Sequence, residues 1–395
     1  MVKGYKKTEI GLLPQNWEVK TIGKISTPKA RIGWQNLRKE EYMESGLYML
    51  ITGTDFEDGR VNYSTCKFVS ENRYEQDPNI QVKNGDVLVT KDGTLGKVAI
   101  IKGLNFKATL NAGVFVLGNL SSSINNEFLY QYLSTNRLMK YAERTSTGGT
   151  IQHLNQGVLV DFPIPVPPVE EQAIIAAALS DIDDLIIKSE ELIKKYQTMK
   201  QGCLQHMFPR NGQTEPDMRL PGFSGAWEQR KLGEITKTHS FKQYISESFA
   251  QGKYAVIQQG ENPIAGYADG NPFENYKDVT LFGDHTLSLF KPQGKFFVAS
   301  DGIKILSPSL KMSGMFYYYL LEKYKPQSEG YKRHFTIMKK STALFPIEID
   351  EQVKISKFLK EFDFLITLHQ RKREKYKMIK QGMMEDLLTG KVRLK

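Results

Sequence analysis

The residues that come nearest to a catalytic motif each lack a part of it. Gly93-Thr94-Leu95-Gly96-Lys97-Val98 is close to a phosphate-cradling loop, but it has neither the G-x-x-x-x-G-K-[ST] spacing nor a hydroxyl after the lysine. No G-x-G-x-x-G follows a strand-like stretch, so a dinucleotide loop is unsupported. Asn271-Pro272-Phe273 is one proline short of the Asn-Pro-Pro-aromatic loop that holds a flipped adenine, and no Gly-rich cofactor loop precedes it. It reads as a turn. Asp217 after Pro216, with Glu228-Gln229-Arg230, echoes a nuclease Pro-Asp…Glu-x-Lys pattern with arginine in place of lysine. None of the six histidines stands four residues from another, as a helical metal pair would require. Cys66 and Cys203 are the only cysteines, which excludes a disulfide framework and argues against a cysteine-based zinc site. The chain carries no constellation for covalent, metal or cofactor chemistry, and no cofactor is expected on it.

What remains is charge. The 395 residues hold 54 Lys and Arg against 44 Asp and Glu, a formal net charge of +10, with the hydrophobic content of a globular protein. The basic excess lies in two globular stretches and in the C-terminal segment, which carries Arg371-Lys372-Arg373, Lys375, Lys377 and Lys380. A central segment is acidic over its first half, through Glu170, Glu171, Asp181, Asp183, Asp184, Glu190 and Glu191. This placement suits a polyanionic partner for the globular parts and mutual packing of the two segments. No apolar run approaches 18 residues and the N-terminus is polar, so the expectation is a cytoplasmic protein with no membrane span.

An internal repeat sets the elements that must position these charges. Trp17-Glu18 through Gly23 and Ile25 returns as Trp227-Glu228 through Gly233 and Ile235, at an offset of 210. Phe162-Pro163-Ile164 returns as Phe345-Pro346-Ile347. Glu171-Gln172 returns as Glu351-Gln352 at an offset of 180, which continues through Asp183/Asp363 to Lys200-Gln201-Gly202/Lys380-Gln381-Gly382. The order is globular, helix, globular, helix. The expected divisions are 1–165, 166–210, 211–345 (with a linker at its start) and 346–395.

Both helices begin after prolines, which block helix upstream. Ile175, Ala178, Ile182, Leu185, Ser189, Leu192, Tyr196 and Met199 step by threes and fours. Ile355, Phe358, Phe362, Leu365, His369, Lys372, Tyr376 and Ile379 repeat them 180 residues later. Such a stripe is the signature of a coiled-coil seam, here an antiparallel pair. Thirty-eight residues at 1.5 Å each give a rod of roughly 55 Å. The globular parts read as mixed α/β. Strands are expected at Leu47–Ile51, Val87–Val89, Val98–Ile101 and Val114–Leu117, then at Tyr254–Ile257, Thr286–Phe290, Lys295–Val298 and Ile303–Leu306. Aromatic-rich helices are expected at Phe128–Tyr141 and Met315–Tyr324. The fold class is α+β: two globular domains joined by two long helices with a pseudo-twofold repeat.

This layout resembles the specificity (S, HsdS) subunit of type I restriction–modification systems, over essentially the whole chain. The carriers are Leu12-Leu13-Pro14-Gln15-Asn16-Trp17 with Gly23, and Met218-Arg219-Leu220-Pro221-Gly222-Phe223 through Trp227 to Gly233. Pro165-Val166-Pro167-Pro168 with Glu171-Gln172, and Gln381-Gly382 through Leu387-Leu388-Thr389-Gly390-Lys391-Val392-Arg393, complete them. The resemblance implies two target-recognition domains, each reading half of a split, asymmetric site in double-stranded DNA, with the helices setting the gap. It also implies two modification subunits and up to two restriction subunits as partners, which would carry S-adenosylmethionine, ATP and Mg. The chain itself would be non-catalytic, serving adenine N6 methylation of host DNA and cleavage of unmodified DNA. The alternatives are a coiled-coil DNA-binding scaffold, an orphan methyltransferase specificity subunit without a nuclease, a coiled-coil scaffold for protein partners only, and a catalytic restriction or methyltransferase enzyme whose motifs are missing.

On that reading lysine and arginine neutralise phosphates and loop side chains read base edges. The candidates in the first half are Lys29, Arg31, Gln35 and Asn36, then Lys91, Thr94 and Lys97, then Arg144, Thr147, Thr150, Gln152 and His153. Those in the second half are Lys242, Lys291, Lys332, Arg333 and His334. The candidate helix seam is Ile175, Ile182, Leu185, Leu192 and Tyr196 against Ile355, Phe358, Phe362, Leu365 and Tyr376. Trp17 and Trp227 are expected to be packing anchors.

Overall fold

The computed structural model describes residues 4–118, 120–145, 153–210, 212–328, 330 and 332–394. The chain divides into two compact units: Met1–Glu190 with Arg371–Lys395, and Glu191–Gln370.

In the first unit the strand Val87–Thr90 lies between Val98–Ile100 and Val114–Leu117, antiparallel to both. Alternation sends its side chains into two cores. Val87 and Val89 join a core with Trp17, Phe128, Phe162, Ile175 and Leu388, while Leu88 joins one with Met49, Ile51 and Leu110. A second sheet pairs Tyr48–Ile51 in parallel with Lys107–Leu110. Glu18–Thr21 pairs antiparallel with Pro163–Val166, so the strand after the repeated tryptophan closes on the strand before the long helix.

The second unit repeats the plan. Thr280–Gly283 lies between Leu289–Phe290 and Ile303–Pro308. Phe282 enters a core with Phe208, Trp227, Phe316 and Leu359, and Leu281 enters one with Ile257, Phe296 and Ile305. Tyr254–Ile257 runs parallel to Phe296–Val298. Glu228–Lys231 pairs with Thr342–Phe345.

The long helices run Val169–His206 and Ile349–Leu387. Two expected elements differ. Phe128–Tyr141 is two helices, Asn126–Leu133 and Arg137–Thr145. The Ser134 and Thr135 hydroxyls donate to the Tyr130 and Tyr132 carbonyls and compete with helical continuation. Thr286–Phe290 is a strand only at Leu289–Phe290, because Thr286 still belongs to the turn that begins at Asp284.

The helix seam is corrected at two positions. Leu185 and Phe358 are each 40 % exposed. Leu179, Asp183, Ile186, Ile193 and Lys200 are also buried on one helix, and Leu359 on the other, where Asp363, Ile366, Arg373 and Lys380 are half-buried. Ile175, Ile355 and Phe362 are buried; Ile182, Leu192, Tyr196, Leu365 and Tyr376 are half-buried. Beside this apolar stripe the inward face carries ion pairs that an apolar pattern cannot reveal.

Candidate nucleic-acid interface

Each unit seats its part of the long helices through the same small set of contacts. The Gln172 amide donates to the Pro167 carbonyl and accepts from the Asn125 backbone N–H. Gln352 does the same with Pro346 and Ser313. Asn125 and Ser313 are side-chain N-caps of the helices Asn126–Leu133 and Gly314–Tyr324, so one amide ties helix start to helix start. Glu171 holds Arg393, and Glu351 holds Arg219 at 2.8 Å.

Deeper along the helices, Lys380 Nζ meets Asp183 Oδ1 at 2.7 Å in the first unit, and Lys200 Nζ meets Asp363 Oδ1 at 2.7 Å in the second. Each carboxylate accepts a further hydrogen bond from the short helix beneath it: from Gln131 Nε2 at 2.7 Å and from Tyr319 Oη at 2.6 Å. In the first unit Arg373 also pairs with Glu190, so the helix segments run antiparallel there. In the second, Tyr196 stacks on His369 with centroids 5.7 Å apart, giving the same sense.

Above this base, the loop after Val87–Thr90 gathers several candidates at one end of the first unit. Lys97 and Thr94 are exposed, and Lys91 lies over the Phe115 ring at 5.5 Å. Asp92 Oδ1 meets His153 Nδ1 at 2.5 Å, and the Leu154 N–H donates to the Lys91 carbonyl. Exposed Lys29 joins the same sheet through a bridge to Val116, and Gln156 donates to the neighbouring Pro28 carbonyl. Arg144 is exposed on another face of its helix, where it lines a cleft of about 1190 Å³ with Arg137 and Lys140. Thr147, Thr150 and Gln152 lie outside the described residues.

Four candidates are corrected by burial. Arg31 is 2 % exposed and donates to the Leu110 carbonyl and the Thr109 hydroxyl, with burial lowering its pKa. Gln35 is buried beside it in sequence, while Asn36 is exposed and caps the Leu37 N–H. His334 is fully buried against the Asp284 carbonyl. Lys291 donates to the Val279 and Gly314 carbonyls, and burial pushes its pKa down to about 8. These side chains hold the fold rather than face outward. Lys242, Lys332 and Arg333 are exposed, Arg333 near Asp301 at 3.7 Å.

A repeated loop motif was missed in the second unit. Asp284-His285-Thr286-Leu287 occupies the loop after the central strand, as Asp92-Gly93-Thr94-Leu95 does in the first. The signal was present: Asp-x-Thr-Leu recurs at an offset of 192. Among the described residues no cluster of His, Cys, Asp and Glu could hold a metal, and no helix is long and apolar enough to cross a membrane.

The family model for the type I restriction modification DNA specificity domain matches residues 14–197 and again 225–377. A putative type I restriction enzyme MjaX specificity subunit from Methanocaldococcus jannaschii is 25 % identical over 422 aligned positions, covering 100 % of this chain and 97 % of that protein. The MjaVIII specificity subunit of the same organism is 28 % identical over 197 residues, 48 % of this chain and 45 % of its own length. Among solved structures, the S subunit of a type I restriction–modification system from M. genitalium aligns with a TM-score of 0.64 at 18 % identity, covering 94 % of this chain and 96 % of that one. A chain from a study of complex assembly and conformational transition in the type I system aligns at 0.51 with 15 % identity, covering 96 % and 99 %. These two likenesses are of fold.

Proposed function

The chain belongs to the family of type I restriction–modification specificity subunits, and we propose that its two units each read one half of a split, asymmetric site in double-stranded DNA. The observation that carries this reading is the duplicated plan with unlike loops. The same sheet and helix seat are built twice, while the side chains at the loop ends differ. One scaffold with two sets of outward groups suits two different half-sites. Exposed Lys29, Lys97, Lys242 and Arg333 would neutralise phosphates and set position. The antiparallel helices would set the spacer and dock two modification subunits, with up to two restriction subunits beyond them. S-adenosylmethionine, ATP and Mg²⁺ would sit on those partners, which would carry out adenine methylation and cleavage of unmodified DNA in the cytoplasm.

The test is methylated-adenine mapping in DNA exposed to the complex of this chain with its modification subunits. Two fixed half-sites separated by a constant gap are expected. An undivided recognition site would overturn the proposal, as would methylation of DNA by this chain alone. Gel shifts in rising salt add a second check, since a DNA reader loses affinity steeply with salt and a protein-only scaffold shows no binding.

A further inference from the structure

The Asp-x-Thr-Leu turns are built as a two-residue tip between two anchors. In the first unit Asp92 is held by His153 and Leu95 packs against the core beneath. Between them Gly93, at φ +73°, and Thr94 are exposed. In the second unit Asp284 Oδ1 accepts from the Phe335 N–H at 2.8 Å and Leu287 is buried in the core. Between them stand half-buried His285 and exposed Thr286. The loop is closed at its base by Gly283 N–H to the Ser288 carbonyl at 2.9 Å.

Leu287 holds a left-handed backbone, φ +56°, where glycine would be at ease. Strain of this kind persists only where the surroundings over-determine it, and it collects at functional sites. Here a leucine is kept because its side chain fastens the turn to the core. Both turns are anchored on either side of their tips, and they differ at the residue after the aspartate. Gly93 offers backbone alone. His285 offers a half-buried imidazole whose Nδ1 faces inward, which leaves Nε2 as the atom that could meet a base. Cations flank both tips: Lys91 and Lys97 in the first unit, and in the second Lys304, 3.8 Å from Asp284, with Arg333 next to the His334 that Asp284 binds.

We propose that each Asp-x-Thr-Leu turn is a base-reading tip and that its variable residue, Gly93 or His285, determines specificity at one base position of its half-site. The inference rests on the half-site reading above. The imidazole N–H suits a purine N7 or O6 acceptor in the major groove. The aspartates are positioning residues that anchor the turn.

The test uses the complex of this chain with its modification subunits, read by sequencing methylated sites in a randomised duplex library. His285→Ala should reduce discrimination at one position of one half-site by about tenfold, with the other half-site unchanged. His285→Asn, which keeps a donor and an acceptor, should alter the preferred base at that same position and secures the readout if the alanine variant melts early. Unchanged preference at every position in both variants would overturn the proposal. Equal loss at both half-sites in a normally melting complex would overturn it too. An undivided site for the unmodified complex would instead bring down the half-site reading itself, before any variant is made.

Discussion

Trp17 and Trp227 begin the same segment of their two units, and both are buried. The Trp17 indole donates to Glu171 Oε2 at 3.0 Å. The Trp227 indole N–H has no partner among the described residues, although its unit contains the matching glutamate, Glu351, held by Arg219. The repeated sequence reproduces backbone and core in both places but not the polar network around them. The ion pairs differ in the same way. Lys380 serves one carboxylate, whereas Lys200 also bonds both oxygens of Glu322 at 2.9 Å. Duplication fixes a scaffold, and local side chains then settle how its buried charges are satisfied.

Removing the shared lysines tests that difference most severely. Lys200→Met leaves Glu322 and Asp363 facing one another in a half-buried site and should cost about 3 kcal/mol in urea unfolding. Lys380→Met leaves Asp183 with Gln131 and should cost about 2 kcal/mol. Equal costs would show that Glu322 contributes nothing. Next come the tryptophans. Trp17→Phe loses a hydrogen bond to a charged group and should cost about 1–2 kcal/mol beyond the loss in Trp227→Phe, which abandons no bond.

Lys291 gives a pH-dependent contrast confined to the second unit. The unfolded chain holds this proton to the ordinary 10.5, while the fold releases it near 8. Between those values the unfolded state binds more protons, so stability rises with pH. The melting temperature of Lys291→Met, relative to the unaltered protein, should therefore fall by a few degrees from pH 7 to pH 10. A constant difference would show that the lysine titrates normally. Arg333→Ala is the mildest change, because among the described residues it breaks an exposed pair with Asp301. Melting should not move, while affinity for one half-site falls by about tenfold or less. Loss at both halves would argue against independent readers.

Much of the architecture was legible from residues alone. The duplicated Trp-Glu, Phe-Pro-Ile and Glu-Gln motifs announced two equivalent units, and prolines marked where each long helix begins. Strands such as Val114–Leu117 and Tyr254–Ile257 were read to the residue, because apolar runs bounded by turn residues leave little freedom. The ion pairs beside the seam were missed because Asp183 and Lys200 look like surface residues until their partners are known. The candidate site was the least legible part. Arg31 and His334 have the chemistry of DNA contacts, and nothing local says that one bonds the Leu110 carbonyl and the other the Asp284 carbonyl.

The sequence by itself determined the repeat, the two long helices and the lack of a catalytic motif, since each rests on local pattern and order along the chain. Only the tertiary structure decided which charged residues face inward and which loops share an end of each unit. Burial and pairing depend on partners more than a hundred residues away, as with Lys200 and Glu322 or Asp183 and Lys380, and no spacing rule reaches that far.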